Sequence, residues 1–185
     1  MACVPPGLAA TAAEQRAWAV LATVLDPEVP VLSVCDLGIV REVHCSPQGG
    51  PDAQDKPGTQ VVLTPTYSGC PATEVIAHSV SQALLEAGLG PVTVTHRLAP
   101  AWTTDWISAE GREKLRAYGI APPTGQSALV EAGAAVPISI RPRNLACPRC
   151  GSTHTERLSA FGSTACKALH RCLACREPFE HFKSL

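Results

Sequence analysis

The chain has 185 residues, of which 45% are hydrophobic and 17% charged, and its formal net charge at pH 7 is -1. This length supports one domain with a hydrophobic core and a small second module, while the near-zero charge gives no general attraction to nucleic acid or to an anionic membrane. No apolar run reaches the roughly 18 residues of a bilayer span, and residues 1–11 lack the positive segment that opens a signal peptide. We therefore expect a soluble, cytoplasmic protein without a nucleic-acid or membrane partner.

The first predicted element is a helix that begins at a capping box. Thr11 and Glu14 form the T-x-x-E pattern, in which two side chains bond the free N–H groups at a helix start. The residues expected on its apolar face recur at helical spacing and are Trp18, Leu21, Ala22 and Leu25. Asp26-Pro27 should end the helix, because the residue before a proline is displaced from the α region.

The next elements are predicted from alternating apolar residues, helical spacing and turn residues. In chain order they are strands at 39–45 and 59–64, a helix at 72–87, a strand at 91–98 and a short polar helix at 108–118. The buried stripe of the second helix is expected to be Ile76, Val80, Ala83 and Leu84. Gly88 should follow its last turn. Residues 121–143 are rich in proline and predict a linker.

The nine cysteines divide unevenly along the chain. Four are scattered singly, at Cys3, Cys35, Cys45 and Cys70, and five lie within residues 147–175. In a chain without a signal peptide, C-x-x-C spacings indicate a metal site rather than disulfides. Cys35 and Cys45 have apolar neighbours and are expected to be packing residues. The six histidines show no paired metal spacing and are expected to be surface or core residues.

The most specific motif is a double C-x-x-C, formed by Cys147, Cys150, Cys172 and Cys175. Two residues between cysteines let a tight turn direct both thiolates at one ion, and two such turns complete a tetrahedron with Zn–S bonds of about 2.3 Å. We predict a structural zinc ribbon over residues 144–185, although an iron site of the rubredoxin type or a redox dithiol remains an alternative. Its strands are expected at 155–161, 167–171 and 179–182. Because so small a domain has little core, metal binding should drive its folding.

Cys70 is a candidate for reactive chemistry. It precedes Pro71, and proline is favoured at the first position of a helix. Cys70 should therefore lie at or next to the N-cap of the second helix, where the helix dipole stabilises a thiolate. Thr66 and Ser68 could donate hydrogen bonds to the sulfur atom or to its ligand. The alternative interpretation is an ordinary buried cysteine.

Four further side chains could take part in handling a metal. Asp26, Glu28 and Asp36 lie in one loop that could approach Cys70, although carboxylates in loops often only cap turns. Cys166 is the surplus cysteine of the C-terminal cluster and falls in the predicted hairpin loop. It is either a small buried residue or a ligand for a second, transferable metal or cluster.

Three motifs of the N-terminal part resemble the MIP18 family, formerly called DUF59. They are Asp26-Pro-Glu-Val-Pro, Asp36-Leu-Gly-Ile-Val and Cys70-Pro, and the resemblance covers about residues 14–98. That family consists of small α/β proteins involved in iron–sulfur cluster assembly. The resemblance implies that the functional face of this domain carries Asp26, Glu28, Asp36, Thr66 and Cys70.

The C-terminal part resembles the family of D components of the phenylacetyl-CoA epoxidase system, which serves phenylacetate degradation. The motifs are Cys147-Pro-Arg-Cys-Gly, Phe161-Gly-Ser-Thr-Ala-Cys-Lys and Cys175-Arg-Glu-Pro-Phe, and the similarity then extends over nearly the whole chain. The two resemblances imply an α+β protein. Its expected parts are a MIP18-like domain over 1–120, a linker over 121–143 and a β-rich zinc ribbon over 144–185.

Two functions follow from these resemblances, and neither makes the chain an enzyme. The first is maturation, in which the protein helps to insert iron or an iron–sulfur cluster into the oxygenase or reductase of the ring epoxidase. The second is a non-catalytic structural or adaptor role in the oxygenase complex. An enzyme with Cys70 as nucleophile is a weaker third, because no base or orienting group stands in a recognisable place. The motifs of a nucleotide loop or a di-iron helix bundle are also missing.

The cofactors and partners implied by the resemblances are few. The cofactors are one structural zinc ion and, for the maturation function, a transient iron or iron–sulfur cluster. The partners are the oxygenase and/or reductase subunits of the epoxidase, and a homodimer is a further option.

Overall fold

A computed structural model of the chain describes residues 11–46, 58–67, 69, 72–123 and 145–184. These residues form two compact units: the first holds the described residues up to Trp102 together with Trp106–Gly111, and the second holds Thr103–Asp105 and those from Arg112 onward. The helices are α1 (Ala12–Leu21), α2 (Thr73–Glu86) and α3 (Ala109–Tyr118), with a 3₁₀ turn at Thr104–Trp106. The strands are β1 (Val40–Ser46), β2 (Gly58–Leu63), β3 (Val92–His96), β4 (Ile120–Ala121), β5 (Thr155–Ser159), β6 (Lys167–Cys172) and β7 (Pro178–Phe182). The α+β class predicted from the sequence is confirmed.

Helix α1 begins at the predicted capping box. The backbone N–H of Glu14 donates to Thr11 Oγ1 at 3.2 Å, and the backbone N–H of Thr11 donates to Glu14 Oε2 at 2.8 Å. Both hydrogen bonds of a capping box are therefore present at the helix start. The buried face of the helix consists of Ala17, Trp18 and Leu21.

The end of α1 differs from the prediction, because the helix stops at Leu21 and does not continue to Asp26. Beyond Leu21, the backbone N–H groups of Thr23 and Val24 bond carbonyls three residues back, which tightens the chain into a turn. The tightened turn rotates the following side chains off the helical face. Ala22 and Leu25 are consequently exposed, and their placement on the buried face was wrong.

The first unit contains a three-stranded sheet in the order β1-β2-β3. β1 and β2 are antiparallel, while β2 and β3 are parallel and are connected through α2, since parallel neighbours need a crossover. One face of the sheet is buried, with Val43 opposite Val61. Three of the four residues predicted for the stripe of α2 are buried: Ile76, Val80 and Leu84. Gly88 follows the helix with a φ of 73°, as its predicted role requires.

The loop between α1 and β1 is held by two tryptophans of the same unit. The Trp102 Nε1 group donates to the carbonyl of Leu37 at 2.9 Å. Gly38 has a φ of +67°, and a Cβ there would lie 2.4 Å from the carbonyl oxygen of Trp106, so only glycine fits. The guanidinium of Arg41 lies 3.5 Å from the centre of the Trp106 ring. These contacts fix the loop that carries the three predicted carboxylates.

The second unit contains a four-stranded sheet in the order β4-β7-β6-β5. The antiparallel strands β5, β6 and β7 begin and end within two residues of their predicted bounds. β4 was not predicted; its Ile120 and Ala121 pair in parallel with Glu180 and His181 of β7. A strand of two residues is too short to show an alternating pattern. The buried cluster of this unit comprises Ala121, Leu145, Cys147, Cys172 and Phe179.

The predicted linker, residues 121–143, lies mostly outside the described residues, although Ala121 belongs to β4. The boundaries 1–120, 121–143 and 144–185 therefore stay predictions. In the part of the chain that the structure describes, no helix is both long enough and apolar enough to cross a bilayer.

Candidate metal centre

The four cysteines of the double C-x-x-C motif come together in the second unit. Their sulfur atoms all lie within 4.8 Å of one another. The Cys147 and Cys175 sulfur atoms are 3.8 Å apart, and those of Cys150 and Cys172 are 3.6 Å apart. A tetrahedron with metal–sulfur bonds of about 2.3 Å has edges of about 3.8 Å. The sulfur atoms therefore have the spacing of a tetrahedral four-thiolate site.

The same backbone turn builds both halves of the site. The N–H of Cys147 donates to the carbonyl of Ser152 at 2.9 Å, and the N–H of Cys172 donates to the carbonyl of Glu177 at 3.0 Å. The residue after the second cysteine of each pair has a positive φ, 73° at Gly151 and 67° at Arg176. The cluster is thus formed by two equivalent turns, one with glycine and one with arginine at the left-handed position.

The burial and pKa values of the cysteines suit a bound dication. Cys147 and Cys172 are buried, whereas Cys150 is exposed and Cys175 is partly exposed. The backbone N–H of Cys175 lowers the pKa of Cys172 to about 6. The backbone N–H of Glu177 lowers the pKa of Cys175, but burial and the neighbouring sulfur atoms outweigh it and raise that pKa to about 12. Without a cation, one thiol is therefore easily deprotonated and another is not. A divalent cation favours the deprotonated form of all four, because it stabilises the four thiolates together.

Cys166 does not belong to this cluster. It lies in the loop between β5 and β6, is buried, and has its sulfur atom 3.0 Å from the hydroxyl oxygen of Thr164. Its carbonyl accepts a hydrogen bond from the N–H of Lys183 at 2.9 Å. The burial agrees with the interpretation of Cys166 as a packing residue, and its role as a second ligand stays a prediction.

Asp26 and Asp36 are both buried and hold turns of the loop between α1 and β1. Asp26 Oδ1 accepts hydrogen bonds from the backbone N–H groups of Glu28 and Val29 at 2.7 and 2.8 Å. Asp36 Oδ2 accepts from the N–H and the hydroxyl of Ser33 at 2.9 and 2.8 Å. Both carboxylates therefore cap turns of this loop, and their part in handling a metal stays a prediction.

Asp36 also connects its loop to the start of α3 within the first unit. The hydroxyl of Ser108 lies 3.3 Å from Asp36 Oδ1, and the N–H of Ser108 donates to the Asp36 carbonyl at 2.9 Å. A Cβ at Gly111 would lie 3.1 Å from the Asp36 Cβ, so the helix backbone passes close to this side chain. Asp36 is therefore contacted both by its own loop and by the start of α3.

The predicted reactive cysteine, Cys70, lies outside the described residues, as do Ser68 and Pro71. Helix α2 begins at Thr73 with Ala72 at its N-cap, one residue after the predicted start at 72. Thr66 is partly buried in the turn after β2, and Glu28 is partly buried in its loop. The approach of Thr66 and the carboxylates to Cys70 stays a prediction.

Two parts of the chain match known protein families. Residues 138–183 match the family described as the PaaD zinc beta ribbon domain, and residues 14–95 match the family described as iron–sulfur cluster assembly protein. A curated protein of Escherichia coli K12, named as the D component of a "Putative 1,2-phenylacetyl-CoA epoxidase", is 48% identical over 168 residues, which are 91% of each chain. The chain belongs to this family of epoxidase D components. Both resemblances drawn from the sequence motifs are therefore confirmed.

Solved structures also resemble part of this epoxidase D component. A DUF59 domain of unknown function from Bacillus anthracis is 24% identical, with a TM-score of 0.49, and the match covers 56% of this chain and 92% of that one. A conserved hypothetical protein of Thermotoga maritima is 28% identical, with a TM-score of 0.42, and the match covers 52% of this chain and 87% of that one.

One feature of the D-component ribbon that sequence patterns did not predict is a buried ion pair. Lys167 is only 3% exposed, and its Nζ lies 3.1 Å from Glu180 Oε2. The sequence feature that could have indicated a buried lysine is its place between Cys166 and the apolar Ala168, at the start of a predicted strand. Its partner lies on β7, and only the pairing of β6 with β7 brings them together.

Two ribbon histidines lie in the sheet rather than with the cysteines. The rings of His170 and His181 meet edge to face, with centroids 5.5 Å apart. Burial, together with nearby His170, lowers the pKa of His181 to about 4. His181 Nε2 is buried and has no hydrogen-bond partner among the described residues. His181 is therefore a neutral packing residue at pH 7.

Proposed function

We propose that this protein is a non-catalytic accessory factor of 1,2-phenylacetyl-CoA epoxidase, and that it assists the insertion of iron or an iron–sulfur cluster into the oxygenase or reductase. The observation that carries the proposal is the combination, in one chain, of a domain matching iron–sulfur cluster assembly proteins and a four-cysteine ribbon. The relationship to the Escherichia coli protein supplies the epoxidase system.

The ribbon cysteines are proposed to bind one structural zinc ion. Four thiolates are a common donor set for structural zinc, and a closed site of this kind leaves no position for a substrate. Cys147 and Cys172 lie in the buried cluster of the ribbon, so the ion would replace much of the core that this small unit lacks. In this role the metal holds the fold and does not react.

Iron handling is proposed for the first unit, with Cys70 as the principal ligand of the cargo and Thr66 and Glu28 beside it. A thiolate is the usual protein ligand of iron–sulfur clusters. Asp26 and Asp36 are proposed to support this function by holding the loop between α1 and β1 in a fixed conformation, since their oxygen atoms accept hydrogen bonds from its backbone. Cys166 is proposed only as a secondary transfer position.

An adaptor function is the second candidate. It is supported by the loop between β5 and β6, which is held by a hydrogen bond from Ser163 to Glu180 and carries Phe161 with 65% of the residue exposed. In this function, the protein would hold subunits of the epoxidase together and would carry no iron.

The iron content of the client subunits separates the two functions. Oxygenase and reductase would be purified from cells that express wild-type protein, Cys70→Ala, or the matched control Cys45→Ala. Cys45 is partly buried and has one weak contact to Thr59, so its substitution should be tolerated. Maturation predicts clients deficient in iron only with Cys70→Ala. Equal iron in all three preparations would remove the transfer role from Cys70 and favour the adaptor.

A further inference from the structure

The segment 160–166, here called the distal loop, connects β5 to β6 at the end of the ribbon opposite the cysteines. Cys172 is paired with Thr155 at one end of the hairpin, whereas Ser159 is paired with Leu169 next to the loop. The N–H of Gly162 donates to the carbonyl of Lys167 at 2.8 Å and closes the loop. The distal loop is therefore built separately from the metal centre.

A partly buried carboxylate fixes the conformation of the distal loop. Glu180 Oε1 accepts a hydrogen bond from the N–H of Ser163 at 2.6 Å, while Oε2 pairs with Lys167. Burial raises the pKa of Glu180, but the bonds from Ser163 and Lys167 outweigh it and hold the pKa below its usual value. A Cβ at Gly162 would lie 2.6 Å from Glu180 Oε1, so glycine allows this approach. The loop is thus ordered by several specific contacts.

The residue that this ordered loop displays is Phe161, which is 65% exposed. The Lys183 Nζ lies 4.7 Å from the ring centroid and also donates to the carbonyl of Ala160 at 3.4 Å. Leu158, the extra residue of a β-bulge in β5, is 49% exposed. A single exposed hydrophobic residue is ordinary. An aromatic ring held by a rigid loop is different, because little conformational entropy is lost when it enters a pocket.

The charge of the ribbon indicates the charge of a partner surface that could bind the Phe161 ring. Residues 145–184 contain six Lys and Arg against three Asp and Glu, a formal charge of +3 that four thiolates around a dication would lower to +1, in a chain whose total is -1. Lys167 and Arg171 are paired with glutamates. Lys183 beside the ring and Arg157 on β5 have no ion pair with another described residue. A complementary surface would therefore carry carboxylates around an apolar pocket.

We propose that the distal loop is a docking site for a partner protein, and that Phe161 inserts into an apolar pocket bordered by carboxylates on that partner. A second copy fits less well, since a symmetric contact would bring the same positively charged surface to both sides and a non-symmetric one would propagate into chains. Nucleic acid also fits less well, because four thiolates around a dication would reduce the small positive charge of the ribbon by two. The inference rests on the proposed function only in taking the partner from the epoxidase subunits.

The test compares Phe161→Ser with Leu98→Ser in the full-length chain. Leu98 is 63% exposed and belongs to the first unit, so it matches Phe161 in exposure but not in location. Affinity for each purified epoxidase subunit would be measured by calorimetry, with metal content and thermal unfolding as checks on folding. We expect Phe161→Ser to weaken binding by about 30-fold or more, as an aromatic hot spot does. Leu98→Ser should bind like the wild type.

A charge reversal adds a second measurement. Lys183→Glu should weaken the same complex, and the salt dependence of its affinity should be smaller than that of the wild type. Equal affinities of wild type and Phe161→Ser would overturn the inference. It would also be overturned if the wild type were an oligomer that Phe161→Ser converts to a monomer. If the wild type bound none of the epoxidase subunits, the proposed function and this inference would both fail, whereas equal affinities overturn the inference alone.

Discussion

Arg176 and Gly151 occupy the same position in two equivalent turns, and this permits a direct comparison of side chains in the left-handed region. Arg176 has a φ of 67° and is exposed, and Gly151 has a φ of 73° with no atom within 4 Å of a Cβ placed on it. The cost of a side chain at Gly151 would therefore come from the backbone conformation and not from a clash with other atoms. An L-residue other than glycine in this region costs about 1 kcal/mol or more.

We expect Arg176→Gly to stabilise the ribbon by about 1 kcal/mol and Gly151→Ala to destabilise it by a similar amount. Both variants keep all four cysteines, so metal content should stay at the wild-type level. Urea unfolding of the metal-bound protein, followed by amide exchange in β5 to β7, measures the change. If Arg176→Gly destabilised the ribbon, the arginine side chain would make a contact that stabilises the ribbon by more than removal of the left-handed strain does.

At the scale of elements, the loop between α1 and β1 depends on a close approach of two backbones. The left-handed Gly38 lies against the carbonyl of Trp106, with 2.4 Å to the oxygen from a hypothetical Cβ. Gly88 after α2 has a similar φ of +73° but no atom within 4 Å. Substitution of Gly88 therefore measures the cost of the left-handed conformation alone, and substitution of Gly38 adds the cost of a steric clash.

Gly38→Ala should lower the free energy of unfolding by about 3 kcal/mol or more, because it combines left-handed strain with a backbone clash. Gly88→Ala should lower it by only about 1 kcal/mol. Thermal and denaturant unfolding of the first unit, monitored through tryptophan fluorescence, gives both values. Trp102 and Trp106 flank the loop, so their emission should also change in Gly38→Ala. Similar costs for the two variants would show that the Trp106 segment moves away freely.

The elements that the sequence predicted well have strong local signals. The capping box of α1 and the stripe of α2 follow from capping chemistry and side-chain periodicity, and the three ribbon strands were placed from the gap between the two C-x-x-C pairs. The end of α1 was missed, because local hydrogen bonds of Thr23 and Val24 override the apolar spacing that continues to Leu25. β4 was missed because its two residues are defined only by their partners on β7.

The candidate site was predictable to different degrees. The grouping of the four ribbon cysteines follows from their spacing, since a two-residue gap suits a single tight turn that directs both thiolates to one point. The turn-holding roles of Asp26 and Asp36 needed the structure, because they depend on which N–H groups lie nearby. The ion pair of Lys167 and Glu180 is a tertiary contact that no local pattern contains.

For the whole molecule, the two compact units should respond differently to loss of metal. The first unit has its own buried core, whereas the buried cluster of the ribbon includes two of the cysteine ligands. Cys172→Ser should reduce metal from about one ion per chain to near zero. Amide protection should then disappear in β5, β6 and β7 and persist in β1, β2 and α2.

Hydrogen exchange with metal analysis checks this outcome, and Cys45→Ser serves as the control that removes a thiol from the first unit. A chelator added to the wild type should reproduce the exchange pattern of Cys172→Ser. Retention of both metal and ribbon protection in that variant would contradict the four-thiolate assignment.

The parallel pairing of β4 with β7 has a practical consequence for anyone who isolates the ribbon. A fragment cut where the family match begins, at residue 138, would contain every cysteine of the metal centre but not Ile120 and Ala121. Its last strand would become an edge with unpaired N–H and C=O groups, beside the core residue Phe179. Such an edge invites pairing between fragments. A soluble ribbon should therefore be cut before residue 120, even though the ligands all lie downstream.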